Sequence, residues 1–354
     1  MRILFIVPYP EGKAPSQRFR FEHYFNELKA RNIHYDVSSF IDLDTWEVLY
    51  KPGFLFRKIS GLTRGYMRRL KDLFRSSKYD YVFIHREFSP LGPPLMEWWL
   101  AKVCKAKIIY DFDDAIWIPN YSEHNSFTYY LKRYTNTRNL CRWACKVSCG
   151  NDYLCNYARL YNAHVVYNPT IIDTENQHNR LADLNKEKFV IGWTGSHSTI
   201  QYLDEVYPVI EELEKKYDFE FQVISDVKPD LELRSLKFIP WKKETEIDDL
   251  LGFSIGIMPL KDDQWAQGKC GFKALQYMAL GIPALVSPVG VNTRIVDHGV
   301  NGFHCRNAEE WKEAIVNCMT DRNLLLNLSK STREKIVNHY SVDSNKENFF
   351  SLFR

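Results

Sequence analysis

The sequence predicts an α/β protein built from two doubly wound, Rossmann-like domains. Three observations lead there. Short apolar runs alternate with amphipathic helical patterns, as in a parallel sheet with helices on both faces. That alternation runs once before and once after a polar stretch, about Asp173 to Lys188, which has no apolar periodicity and reads as a linker. A length of 354 residues also suits two domains better than one. The expected boundaries are 1–172 for the first domain, 173–188 for the linker, 189–338 for the second and 339–354 for a tail.

In the first half, Ile3–Val7 reads as a strand and Ser16 to about Arg31 as a helix with Phe21, Phe25 and Leu28 inward. Ser16 is the expected N-cap. Tyr81–Ile84 is a strand, Pro94–Cys104 a helix, and Lys107–Tyr110 and Lys146–Cys149 further strands. Asn151–Leu160 is a helix, and His164–Tyr167 a strand that closes at Asn168-Pro169. After the linker the pattern restarts. Phe189–Trp193 is a strand, and Thr199–Lys216 a helix with Ile200, Leu203, Val206, Ile210 and Leu213 inward. Phe221–Ser225, Lys237–Ile239, Ile255–Met258 and Ala284–Val286 are strands, followed by helices at about Glu309–Met319 and Arg322–Asn338. The tail beyond Tyr340 carries aromatic residues that need a surface to pack on. Ligands of such folds bind outside the carboxyl ends of the strands, which are expected to face one cleft.

Composition narrows the class. At 45% hydrophobic residues, sizeable cores are available. A net charge of +3 does not by itself imply nucleic acid, and no recognition motif for it is present. No apolar run approaches the ~20 residues needed to span a bilayer. The Ile3–Val7 run is too short for a signal core, so the reading is cytoplasmic. Of eight cysteines, Cys141, Cys145, Cys149 and Cys155 cluster, but without a CxxC knuckle or a matched second pair. Reduced, packed thiols are expected rather than zinc or disulfides.

The segment Gly268 to Gly290, GKCGFKALQYMALGIPALVSPVG, carries the chemistry. A helix is expected from about Cys270, with Phe272, Leu275, Met278 and Ala279 on its buried side. Lys269, Lys273 and Gln276 stand at i, i+4 and i+7 and share another face. A helix start offers N–H groups and partial positive charge, and two lysines beside it suit a diphosphate. The alternative reading is two solvated lysines.

These residues resemble the family 4 glycosyltransferases of the GT-B fold, which move sugars from nucleotide diphosphates with retention of configuration. Phe272 to Pro283, FKALQYMALGIP, is similar to the family's helix and Gly-x-Pro turn. Ile191 to Ser196, IGWTGS, is similar to the strand and loop that open the donor domain. Val166-Tyr167-Asn168-Pro169 followed by Asp173 resembles the close of the acceptor domain, and the tail resembles a helix that crosses back onto the first domain. The family usually has two glutamates eight positions apart before the turn; here Gly268 and Gln276 stand there. A subgroup of the family carries a Gly-Lys-x-x-x-Lys version of the motif. The family's usual Arg and Lys after the first donor-domain strand are replaced by Thr194-Gly195-Ser196-His197-Ser198.

The resemblance implies roles. Lys269 and Lys273, with amides near Gly195 and Gly271, would meet the charge on the leaving diphosphate, which makes the transfer metal-independent and without cofactor. Gln276 would hold the ribose, and Ser196, Phe272 and Trp241 would border the donor. Gly12, in the loop Glu11 to Arg18, would bring backbone amides to the donor phosphates. The loop Asp111-Phe112-Asp113-Asp114 holds three carboxylates for a base, an acceptor hydroxyl or a metal. Asp113 falls near the position of a functional His in the family and is the chosen acceptor-positioning group. Arg18, Arg86 and Asp111 are the remaining acceptor-side candidates.

Residues 51–75, KPGFLFRKISGLTRGYMRRLKDLFR, stand apart, with many basic residues, interleaved aromatics and Asp72 as the one acid. Such a segment suits an anionic membrane surface, and equally an ordinary basic helix. The expected function is a retaining glycosyltransferase acting on a glycan or lipid-linked acceptor hydroxyl in cell-surface polysaccharide synthesis. The alternatives are a sugar-nucleotide 2-epimerase and a non-catalytic subunit that binds nucleotide sugar.

Overall fold

A computed structural model describes residues 1–49, 51–119 and 134–354. The chain forms two units, Met1–Thr170 with Lys346–Arg354, and Ile171–Asn345.

The first unit holds six parallel strands: β1 (Arg2–Val7), β2 (His34–Ser39), β3 (Tyr81–His85), β4 (Ile108–Phe112), β5 (Lys146–Cys149) and β6 (Val165–Tyr167). Their order is β2-β1-β3-β4-β5-β6. The second unit holds β7 (Phe189–Thr194), β8 (Phe219–Ser225), β9 (Leu236–Pro240), β10 (Ile255–Met258), β11 (Ala284–Val286) and β12 (Gly302–His304). Here the order is β12-β11-β10-β7-β8-β9, again all parallel. Both sheets are therefore doubly wound, with strand order reversing between β1 and β3 in one and between β7 and β10 in the other. Those reversal points are where a crevice opens at the carboxyl ends.

The first core is aromatic: Phe5 lies 5.3 Å from Phe21 and 5.0 Å from Phe83, ring to ring. The tail packs onto this unit. Its helix, Val342–Ser351, stacks Phe349 on Tyr24 at 4.2 Å, and Lys146 Nζ donates to Ser351 O at 2.6 Å. The second core gathers Ile191, Trp193, Leu203, Phe221, Ile257 and Leu285.

Several elements differ from the expectation. The helix expected over Ser16–Arg31 is broken into Pro15–Arg18, a 3-10 turn at Glu22–Tyr24 and Phe25–Ala30. The break is at Phe21, whose φ of −145° is not helical. The first piece starts from Ala14 with Pro15 at its first position, so Ser16 is not the N-cap. The Thr199–Lys216 helix is a 3-10 segment, Ile200–Glu205, and a short helix, Tyr207–Leu213, with Pro208 at the start of the second. Two edge strands, β2 and β12, had no apolar run to reveal them. All eight cysteines are free; Cys145 is exposed and Cys104 half-buried, the other six buried.

Candidate functional site

At the reversal point of the second sheet, β10 runs into the loop that carries Lys269, and the helix Phe272–Ala279 follows. It begins two residues later than expected because Gly271 takes a left-handed φ of 69° as its cap. The lysines are half-buried against indole rings of their own unit. Lys269 Nζ lies 5.6 Å from the Trp265 ring, and Lys273 Nζ 5.4 Å from the ring of Trp193, in β7. Such contacts hold an ammonium by the ring quadrupole without neutralising it. Phe272, expected inward, is partly exposed, while every side chain from Ala274 to Ala279 is buried.

Gln276 departs furthest from the expected shared face. It is only 1% exposed, and its Nε2 has no hydrogen-bond partner among the described residues. A buried amide nitrogen without an acceptor is costly, and native structures rarely keep one without a reason. Tyr277, the next residue, is buried and accepts a hydrogen bond from Thr194 N at 2.9 Å, which ties the helix to the end of β7.

The loop after β7 is built by local bonds. Gly195 N donates to Ile224 O at 3.0 Å, and Ser196 N to Thr199 Oγ1 at 3.1 Å. The Gly195 amide is therefore engaged by the sheet, against the expectation that it meets a phosphate. A Cβ at Gly195 would overlap the Trp193 ring, so only glycine fits there. His197 is tied to the end of β8, with Nδ1 2.7 Å from Asp226 Oδ2. Trp241 Nε1 donates to Glu246 Oε1 at 3.3 Å, a local packing role.

The carboxyl edge of the first sheet is a network of charges. Arg20 is fully buried and pairs with Asp111 through its NH2. His85 Nδ1 lies 2.8 Å from Asp111 Oδ2, and Ser148 Oγ donates to Asp111 Oδ1 at 2.6 Å. Burial alone would raise the Asp111 pKa, but Arg20 and then His85 outweigh it and hold the carboxyl well below the usual range. Asp111 is thus an interior anchor for Arg20 and not an exposed acceptor contact. His85 Nε2 is buried and has no hydrogen-bond partner among the described residues.

Arg86 and Asp113 are brought together. Arg86 Nε donates to Asp113 Oδ1 at 2.7 Å, and its NH2 donates to Asp114 Oδ2 at 2.7 Å. Burial would raise the Asp113 pKa, but Arg86 prevails and keeps the carboxylate ionised. Arg18 is buried, its guanidinium 4.9 Å from the Phe19 ring. Gly12 N donates to Glu22 Oε2 at 2.8 Å, so this loop amide, expected to face a phosphate, meets a carboxylate. Gln17 braces the same loop, donating to Glu22 Oε1 and to Tyr9 O, each at 3.0 Å. The Gln17–Glu22 brace and the Arg20 network were missed in the sequence, because their partners are unpatterned or distant along the chain.

Residues 188–321 match the family model for glycosyl transferases group 1. No curated protein matches the sequence. Among solved structures, Alr3699/HepE from Anabaena, in complex with UDP and glucose, superposes with a TM-score of 0.64 at 15% identity, over 99% of this chain and 99% of that one. The sucrose-phosphate synthase tll1590 from Thermosynechococcus elongatus gives 0.70 at 12% identity, over 100% of this chain and 98% of that one. The lipopolysaccharide outer core galactosyltransferase WaaB, in its apo form, gives 0.62 at 11%, over 99% of each chain. At such identities the likeness is one of fold.

Proposed function

We propose that this chain, a glycosyltransferase with a group 1 domain in the GT-B fold, moves a sugar with retention of configuration from a nucleoside diphosphate sugar to a hydroxyl of a glycan or lipid-linked acceptor, in cell-surface polysaccharide synthesis. The observation that carries this reading is the helix Phe272–Ala279. It offers an amide start, Lys273 held over Trp193, and one turn further the buried, unpartnered Nε2 of Gln276.

In this reading the donor sits at the β7/β10 reversal point. Lys269 and Lys273 face the diphosphate, where negative charge grows as the sugar–phosphate bond breaks. Fixed cations at that place lower the barrier without a metal. Gln276 Nε2 donates to a ribose hydroxyl and so acquires the acceptor it lacks. Gly268 has no side chain where the family's glutamate reaches the sugar, so the sugar is oriented by other groups. In the first unit, Asp113 stays ionised beside Arg86 and accepts a hydrogen bond from the incoming hydroxyl. A carboxylate so paired is a poor base, so its part is to position that hydroxyl.

Thermal shift with UDP, GDP, ADP, CMP and dTDP, without and with magnesium, tests donor binding, since a ligand of the folded state raises Tm. UDP is the first choice because the Anabaena protein was solved with it. A shift from one diphosphate without metal is expected. No shift from any of them would favour the non-catalytic subunit, and an isomerised sugar from donor alone would favour the epimerase. With the acceptor in hand, Lys273→Ala is expected to lower kcat by about 10²–10³, the usual loss for a group that meets transition-state charge. Unchanged turnover would sink the assignment.

A further inference from the structure

The helix Leu55–Arg75 is inside out. Its 21 residues make a rod about 30 Å long. The face turned into the first unit reads Gly61, Gly65, Arg69, Asp72 and Leu73, all buried, with Leu73 its one buried apolar side chain. The opposite face reads Phe56, Ile59, Met67, Leu70 and Phe74, at helical spacing and all exposed; Phe56 is 89% and Phe74 82% open to solvent. A helix of a globular unit normally turns its apolar stripe inward.

The inward face explains itself. A Cβ at Gly61 would overlap Thr45, and one at Gly65 would press on Phe40, so the helix backbone lies close against that segment. Arg69 donates to Val7 O at 2.8 Å, to Ser38 O at 3.1 Å and to Phe88 O, and pairs with Asp72 at 3.1 Å. The helix is thus held by close approach, by a buried guanidinium and by Leu73 near its end. The apolar stripe contributes nothing to that hold.

More apolar surface adjoins it. The helix Leu95–Lys102 packs against Leu55–Arg75 and leaves Leu95, Trp98 and Trp99 exposed, with Val103 just beyond it. The charges on the long helix are basic. Arg64 and Arg68 pair with Asp42, and Arg75 with Asp72. Lys51, Arg57, Lys58 and Lys71 make no ion pair among the described residues, and Asp72 is buried. Asp44 and Glu47, on the preceding Leu43–Leu49 helix, are the exposed acids of the segment just before it. Among the described residues no helix is long and apolar enough to cross a membrane.

We propose that this face is a docking surface for an anionic lipid bilayer, on which the helix lies in the interface plane. Its apolar stripe enters the headgroup–acyl boundary, and the lysines and arginine beside it meet lipid phosphates. An aromatic-rich stripe fringed by cations fits that partner by both chemistries at once. The inference is independent of the sugar transferred and of the donor site.

The test is flotation of the full chain with vesicles of phosphatidylcholine alone and of phosphatidylcholine with phosphatidylglycerol. Binding to the anionic vesicles is expected, weakening as salt rises. The double variant Phe56→Asp with Phe74→Asp should lose at least about tenfold in vesicle affinity. Its melting temperature should stay close to the parent's, because both side chains are exposed. A parent chain that ignores anionic vesicles, or a variant that binds them equally, overturns the proposal. So does a dimer, seen by light scattering without vesicle binding, that the same variant dissolves; the stripe would then be a self-interface.

Discussion

At the carboxyl edge of the first sheet, cations face carboxylates of their own unit: Arg20 meets Asp111, and Arg86 meets Asp113 and Asp114. At the corresponding edge of the second sheet, Lys269 and Lys273 lie over indole rings, and the buried Gln276 of the same segment is a neutral amide whose Nε2 has no partner among the described residues. The two edges share a topology but not an electrostatic plan. The first pairs its cations with carboxylates of its own unit, which suits a hydroxylated ligand better than an anion. The second sets two ammonium groups against aromatic faces, an arrangement that suits an anion. Doubly wound sheets thus fix where a ligand goes, and edge side chains decide which kind.

The largest effect that would break this comparison is on stability. Asp111→Asn leaves Arg20 buried without its counter-charge, and removing one partner of a buried pair costs roughly 3–5 kcal/mol. Lys269→Ala, at the other edge, should stay within about 0.5 kcal/mol, as half-exposed sites usually do. Urea unfolding of both variants decides it. Equal losses would mean that the two edges carry charge in the same way.

A middle-sized effect sharpens the second edge. Gly195→Ala sets a Cβ into the Trp193 ring, the ring over which Lys273 lies. Overpacking of this kind costs about 1–3 kcal/mol. The ring or the loop must shift, so nucleotide binding should weaken along with stability. Calorimetry with the preferred diphosphate checks it. Unchanged affinity in a destabilised variant would separate Trp193 from the lysine's task.

How far the sequence could be read followed burial. Ile255–Met258 and Ala284–Val286 were legible to the residue, because both are fully buried runs bounded by turn residues. His34–Ser39 was not, because an edge strand of HYDVSS carries no continuous apolar run and buries only Ser38. The lysine pair was legible from its place at a helix start. The burial of Gln276 was not, since periodicity placed it beside the lysines while the elements that cover it come from elsewhere in the fold. The Leu55–Arg75 helix gives the sharpest case. Its apolar stripe stands plainly in the sequence, yet which face turned inward was decided by Gly61, Gly65 and Arg69, through contacts with Phe40, Thr45 and the end of β1. Arg20, His85 and Asp111 meet across 26 and 91 positions, which no local pattern encodes.

The smallest effect tests the rule that the first edge closes its charges, at the acid beside it that escapes. Glu97 is 1% exposed, and its Oε2 has no partner among the described residues; Oε1 accepts a long bond from Ser89, at 3.4 Å. It lines a cavity of about 80 Å³ with Arg86, Tyr9 and Asn136, whose Oδ1 also has no partner among the described residues. Burial pushes its carboxyl up to about 7 from an ordinary 4.5. A raised acid holds its proton in the folded chain where the unfolded chain has released it. Stability is therefore fully present below about 4.5 and declines as pH rises toward 7, by about 1.4 kcal/mol per pH unit at most. Between pH 6 and 7 the fall from this one group should be about 1 kcal/mol. Glu97→Gln keeps the shape and has no proton to lose, so its stability should change less over that interval. Parallel profiles for parent and variant would mean that Glu97 is ionised in the folded chain, and that the first edge holds a buried anion without a counter-charge after all.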